Sequence, residues 1–372
     1  MKLFFLTLLM LPLFVNAQTP DAVIKYNEGV AHSKAKDYKK AVESYNESLK
    51  IDPLYDAPYY ARGTAKVVLK DYKSAISDFD RCLKLKNTNA KASYYKGYCQ
   101  MKIKDSKGAL ASFSKAIKLN NKLEKAFYYR AFIQMQEKKY ELSVLDFLQY
   151  NTLVTDNEKS HYNLAICYNA QKQKDLAIQS YTKALSIKPD YSDAKLARMK
   201  LYFKTENYGL AIDDCTDLIS NDKNNVDAYN YRALSYLKSE DFENAQNDYK
   251  KLVELAPDNV KYWTNKGIVS FKQKNYEEAA IDYSNLINIE PSKLAHYKNR
   301  SVAYMQTEDW KGALGDLSKM IEISPNNGDA FYNRSNVHLQ LKENDKACAD
   351  MREAAKLGFE QAFQYIAGIC QE

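Results

Sequence analysis

Eight basic residues, Arg62, Lys96, Arg130, Arg198, Arg232, Lys266, Arg300 and Arg334, lie at whole multiples of 34 residues from one another. A row of guanidinium and ammonium groups along one face of a repeating structure could bind anions such as phosphate or carboxylate. A second series argues for a different use. Asp78, Asp146, Asp214, Asp248, Asp282, Asp316 and Asp350 follow seven of these bases at a constant interval of 16. Where the base is replaced, by Glu28 and by Leu164, the acidic position holds Ser44 and Ser180. Partners that disappear together point to an ion pair inside each copy, and the planar arginine fork suits a half-buried carboxylate. Lys96 is the exception, because it faces Ser112.

Other residues capable of chemistry are sparse. The four histidines, His32, His161, His296 and His338, are scattered, and no HExxH, GxSxG, GxGxxG or phosphate-loop pattern occurs. No enzyme, cofactor or metal site is expected. Of six cysteines, Cys348 and Cys370 lie symmetrically about a turn at Gly358 and Phe359, which predicts a disulfide between antiparallel helices. Cys82 and Cys99 are symmetric about another turn, and their pairing is left open. Cys167 and Cys215 read as small core residues, and no spacing suits zinc.

The elements that position these residues follow from the same period. Ten blocks fit without insertion or deletion: 22–55, 56–89, 90–123, 124–157, 158–191, 192–225, 226–259, 260–293, 294–327 and 328–359. Within a block, apolar residues recur at helical spacing over roughly positions 2–14 and 18–30, which predicts a helical hairpin. Position 8 is small in nine blocks, as at Gly29, Gly63, Gly97 and Gly267, and position 20 is alanine or serine throughout. Small residues there let the two helices approach closely. Position 24 is aromatic in seven blocks (Tyr45, Phe79, Phe113, Phe147, Tyr181, Tyr249, Tyr283) and is expected to fill the wedge between hairpins. Proline at position 32 in five blocks (Pro53, Pro189, Pro257, Pro291, Pro325) is expected to end the second helix. The sixth block departs most, with Met199 and Cys215 in these columns, and looser packing is expected there.

The small-8, Ala-20, aromatic-24, Pro-32 pattern resembles the tetratricopeptide repeat family, over residues 22 to about 361. The resemblance implies an all-α, right-handed superhelical solenoid of ten 34-residue helix-turn-helix repeats. A C-terminal capping helix is expected over 360–372, with Ala362, Phe363, Ile366, Ala367 and Cys370 on its covered face. In this family the concave groove is lined chiefly by positions 2, 5, 9, 12 and 13 of the first helix. Carried onto this sequence, those positions place Tyr60, Tyr94, Tyr128 and Tyr162 in a ladder edged by Lys91, Lys125 and Lys159, with Tyr98, Phe132, Met101 and Met135 beside them. Such a surface suits a peptide or protein carrying acidic groups. The family's carboxylate clamp is missing: Asn27, Asn163, Asn265, Asn299 and Asn333 sit at position 6 without the companion residues.

Charge is divided unequally. The first five blocks sum to +12 and the last five to −4, and the third holds eight lysines against Asp105 alone. This steers an acidic partner to the N-terminal half. Nucleic acid is not expected, for want of a recognised module. Residues 1–17 read as a signal peptide, with Lys2, an apolar run from Leu3 to Val15 and small residues up to cleavage near Ala17. Nothing later is apolar enough to span a membrane. The expected protein is thus an exported, periplasmic or secreted scaffold for protein or peptide partners. The alternative is a cell-envelope assembly or structural component that binds glycan or anionic lipid through its basic N-terminal half.

Overall fold

The computed structural model describes residues 19–370, and among them every regular element is an α-helix. The leader expected over 1–17, with its cleavage site, lies outside the described residues, as does the side chain of Ala367. The chain forms two compact units, divided between Pro189 and Asp190.

The first unit contains five hairpins: α1 (Pro20–Lys34) with α2 (Tyr38–Ile51), α3 (Asp56–Val68) with α4 (Tyr72–Leu85), α5 (Ala90–Lys102) with α6 (Ser106–Leu119), α7 (Glu124–Gln136) with α8 (Tyr140–Leu153), and α9 (Glu158–Ala170) with α10 (Lys174–Ile187). The second contains α11 (Ser192–Lys204) with α12 (Tyr208–Asn221), α13 (Val226–Lys238) with α14 (Phe242–Leu255), α15 (Val260–Lys272) with α16 (Tyr276–Ile289), α17 (Leu294–Gln306) with α18 (Trp310–Ile323), and α19 (Gly328–Gln340) with α20 (Asn344–Lys356), followed by α21 (Glu360–Ile369). Within each unit the second helix of one hairpin packs on the first helix of the next.

The close approach inside a hairpin comes from the small residue at position 8 and the ring at position 24. A Cβ placed on Gly63 would stand 2.8 Å from Cε1 of Phe79, so any larger residue collides with the ring. The other side of Phe79 faces the next hairpin, where Tyr95 stacks on it with centroids 5.9 Å apart. One aromatic residue therefore joins three helices.

The turn between the two helices is also uniform. Lys36, Lys70, Lys104, Lys138, Lys172, Glu206, Glu240, Lys274, Glu308 and Lys342 all have φ between 59° and 65°. In the first hairpin the Lys36 N–H donates to Ser33 and the Asp37 N–H to His32, a 5→2 and 6→1 pair that satisfies the last carbonyls of α1. Asp37 then caps α2 by accepting from the Lys40 N–H at 3.2 Å, so one residue closes one helix and opens the next. Glycine is the residue that reaches positive φ without Cβ strain. Lys104→Gly is expected to raise stability by about 0.5–1 kcal/mol, read as a higher denaturant midpoint with unchanged helicity.

Two expectations need correction. Helices α4, α6, α8 and α12 end at the same block position as those followed by proline, although Asn87, Asn121, Thr155 and Lys223 stand in its place. The backbone turn sets the end, and proline only reinforces it. Nor is the sixth block loose: Met199 and Cys215 are both wholly buried, in one cluster with Leu218, Ile219 and Ala228. Methionine's flexible chain fills the volume that a small residue and an aromatic ring share elsewhere.

At the C-terminus Ala362 is buried and Ile366 half-buried, but Phe363 is 58% exposed and does not belong to the covering face. A step of one residue turns a helix by about 100°, which carries Phe363 off the stripe formed by 362 and 366. The covering ring is Phe359 in the preceding turn, 4.8 Å from Tyr332. Cys348 and Cys370 are bonded, with Cα atoms 5.6 Å apart, tying α20 to the end of α21. Cys82, Cys99, Cys167 and Cys215 are free and buried. Burial pushes the Cys82 thiol up to about 11 and that of Cys99 to about 12, so both remain protonated.

Candidate functional site

The basic column is consumed internally. Arg130 Nε and Nη2 each donate to Asp146 at 2.7 Å, and Arg232 and Arg334 repeat this fork on Asp248 and Asp350. Arg62, Arg198, Lys266 and Arg300 pair with Asp78, Asp214, Asp282 and Asp316. Seven of the eight bases also lie over the ring at position 4 of their own helix or at position 11, as Arg62 does over Tyr59 at 5.5 Å. The row offers no guanidinium face to an anion.

A second attachment was not read from the sequence. The remaining arginine nitrogen reaches back to the hairpin before: Arg130 Nη1 to Ser114 at 3.0 Å, Arg232 to Thr216, Arg300 to Ser284 and Arg334 to Ser318. Arg62 uses Asn46 in the same way. The signal was present as a short polar residue 16 positions before each arginine.

The residues expected to line a groove lie on α3, α5, α7 and α9. The tyrosine ladder turns out to be largely mortar between hairpins. Tyr60 stands 6.2 Å from Phe79 and 6.1 Å from Tyr95. Tyr94 packs against Tyr95, Phe113 and Tyr129 and is only 8% exposed, so it does not present a ring to a partner. Tyr128 lies 5.8 Å from Phe147 and 5.2 Å from Tyr150, and its hydroxyl accepts from Asn163 at 3.5 Å. Tyr162 is half-buried, 5.7 Å from Tyr181. Burial pushes the Tyr60 phenol up to about 12 and that of Tyr94 still higher, with Tyr128 raised for the same reason.

Lys91, Lys125 and Lys159 are exposed, one at the start of each of three successive hairpins, and none makes an ion pair among the described residues. Tyr98 and Phe132, with Met101 and Met135 one turn further along, are half-buried. Tyr98 lies 5.5 Å from Tyr129 and carries the Lys102 ammonium 5.3 Å above its ring. The available surface is thus a lysine edge beside partly covered rings and thioethers, an arrangement that can complement acidic groups on an amphipathic segment.

Position 6 was read only for what it lacks. In the structure it serves the packing: Tyr95 and Tyr129 stack on Phe79 and Phe113, while Asn163 bonds to Tyr128. The histidines are equally local. His296 lies 2.9 Å from Glu290 and His338 2.6 Å from Glu343, in separate hairpins. No group of three metal-ligating side chains occurs among the described residues. No described helix is long and apolar enough to cross a membrane.

Models of the tetratricopeptide repeat match residues 22–55, 60–123, 158–191, 231–287 and 328–357. Among solved structures, the C-terminal part of a TPR repeat-containing protein from Cytophaga hutchinsonii is 20% identical with a TM-score of 0.54, over 64% of this chain and 98% of that one. The structure of Naa15/Naa10 bound to HypK-THB is 15% identical with a TM-score of 0.50, over 91% of this chain and 64% of the other. YrrB, described as a TPR protein with an unusual peptide-binding site, is 24% identical with a TM-score of 0.44, over 47% of this chain and 90% of its own. These likenesses concern the fold. No curated protein matches the chain.

Proposed function

The chain belongs to the tetratricopeptide repeat family, and from that premise we propose that it is a scaffold that holds protein or peptide partners against α3, α5, α7 and α9. The observation that carries this reading is the lysine edge. Lys91, Lys125 and Lys159 recur once per hairpin, exposed and without ion pairs among the described residues, while Arg62 and Arg130 of the neighbouring basic column are engaged by aspartates. Unpaired cations beside half-buried Tyr98, Phe132, Met101 and Met135 favour an amphipathic partner with acidic groups.

The setting we propose is outside the cytoplasm. The leader-like composition of residues 1–17 supports it, as does the Cys348–Cys370 bond, since such bonds persist in oxidising compartments. A second reading, envelope glycan or anionic lipid as the ligand, draws on the third block. Of its eight lysines only Lys96 has a carboxylate partner among the described residues.

The test is the triple variant K91E/K125E/K159E. It is expected to retain far-ultraviolet helicity and to lose at least tenfold in partner capture from native extract, the loss of three favourable contacts and their replacement by repulsion. Undiminished capture by the variant removes this face from consideration. Salt-sensitive co-sedimentation with peptidoglycan or anionic vesicles, without protein capture, selects the second reading instead.

A further inference from the structure

The third hairpin breaks the internal ion-pair rule, and the break leaves a cavity. Elsewhere in the first unit, Arg62 and Arg130 fill the space beside positions 23 and 25 and saturate it with Asp78 and Asp146. Here Ser112 replaces the aspartate, and Lys96 replaces the arginine. Lys96 turns back to Asp80 in the preceding hairpin, at 2.5 Å. An open cavity of about 330 Å³ results, lined by Asp80, Lys84, Ser93, Lys96, Ser112 and Lys115.

We propose that this cavity binds a small oxyanion, a carboxylate or a phosphate group, in the place that the missing aspartate carboxylate occupies in the other hairpins. Three lysines and one aspartate line it, and Lys84 and Lys115 make no ion pair among the described residues. The Lys96 side chain is 24% exposed, and its ammonium has more donors than the Asp80 contact uses. Ser112 gives its proton to Gln100 Oε1 at 2.6 Å and Ser93 donates to the Asn89 carbonyl at 3.3 Å, so the lysines are the anion's donors. The second unit shows that a lysine in this column accepts a carboxylate at position 23: Lys266 pairs with Asp282, which is wholly buried. None of the lining residues is on the lysine edge of α5, α7 and α9, so the site stands or falls apart from the scaffold reading.

The experiment titrates inorganic phosphate, and separately acetate, into the full chain at constant ionic strength held with chloride. Saturable binding to the unaltered chain is expected. Ser112→Asp supplies the carboxylate internally and is expected to weaken phosphate binding at least tenfold while raising the melting temperature. Lys115→Ala, a change at an exposed position that leaves the core intact, is expected to weaken it by about tenfold. Binding of both anions identifies carboxylates as ligands along with phosphate, and binding of phosphate alone restricts the site to phosphoryl groups. A response to ionic strength only, or equal affinity in the unaltered chain and both variants, overturns the proposal.

Discussion

Arg300→Ala is expected to destabilise the α17–α18 hairpin by about 3–5 kcal/mol, the usual penalty for stranding one member of a buried ion pair. Arg300 donates to both oxygens of Asp316, at 2.8 and 2.6 Å, and to Ser284 of the preceding hairpin at 2.9 Å. Its guanidinium also lies between Tyr297 and Tyr304. Asp316 is only 4% exposed, so alanine strands a poorly solvated carboxylate without its partner. Replacing both members by apolar residues, as in Arg300→Met with Asp316→Leu, is expected to recover most of the loss, because it removes the stranded charge. Repeat arrays do not unfold in a single step, so the measurement is native-state hydrogen exchange resolved by hairpin. A loss below about 1 kcal/mol, with no rescue in the double variant, would show the pair to behave as a solvated surface bridge.

Phe79→Ala is expected to cost about as much, roughly 3–5 kcal/mol, by a different route. The ring is wholly buried, rests on Gly63, and touches Tyr60 and Tyr95 at 6.2 and 5.9 Å. Alanine would open a void bounded by three helices, α3, α4 and α5, none of which can close it alone. Faster exchange is therefore expected in both hairpins that flank the ring, while α9 and α10 keep their protection. Confinement of the change to α4 would mean that the ring serves one hairpin only. Gly63→Leu attacks the same contact from the other side and is expected to cost about 1–3 kcal/mol through overpacking.

The hairpin period, the small columns and the arginine–aspartate pairs were legible because each repeats, and chance coincidences do not repeat in register. The groove was harder. Position 5 tyrosines are spaced as a ladder on one helix face, yet one side chain can both border a groove and pack into the next hairpin. Sequence spacing does not say which end of the ring is covered. Tyr94 is buried because Tyr95 and Tyr129 close over it, a consequence of position 6 being aromatic in two adjacent blocks. Phe363 failed for a simpler reason. It stands one residue past Ala362, about 100° round the helix, and the stripe that α21 buries is narrower than that step. Lys91, Lys125 and Lys159 are exposed, as charged heads at a helix start remain in water.

The arginine that binds forward to its own aspartate and backward to a hydroxyl gives the array a direction. Arg62, Arg130, Arg232, Arg300 and Arg334 fasten their hairpins to the ones before, each of which supplies only a small polar acceptor. The first described hairpin has Glu28 where the base would be, turned toward Lys25. The tenth hairpin holds Arg352 at the acceptor position, so a duplicated block added after it would arrive with its own latch but find no acceptor. Growth by one copy there requires Arg352 to give way to a short polar residue, whereas growth at the opposite end requires the block that begins at Ala22 to exchange Glu28 for an arginine.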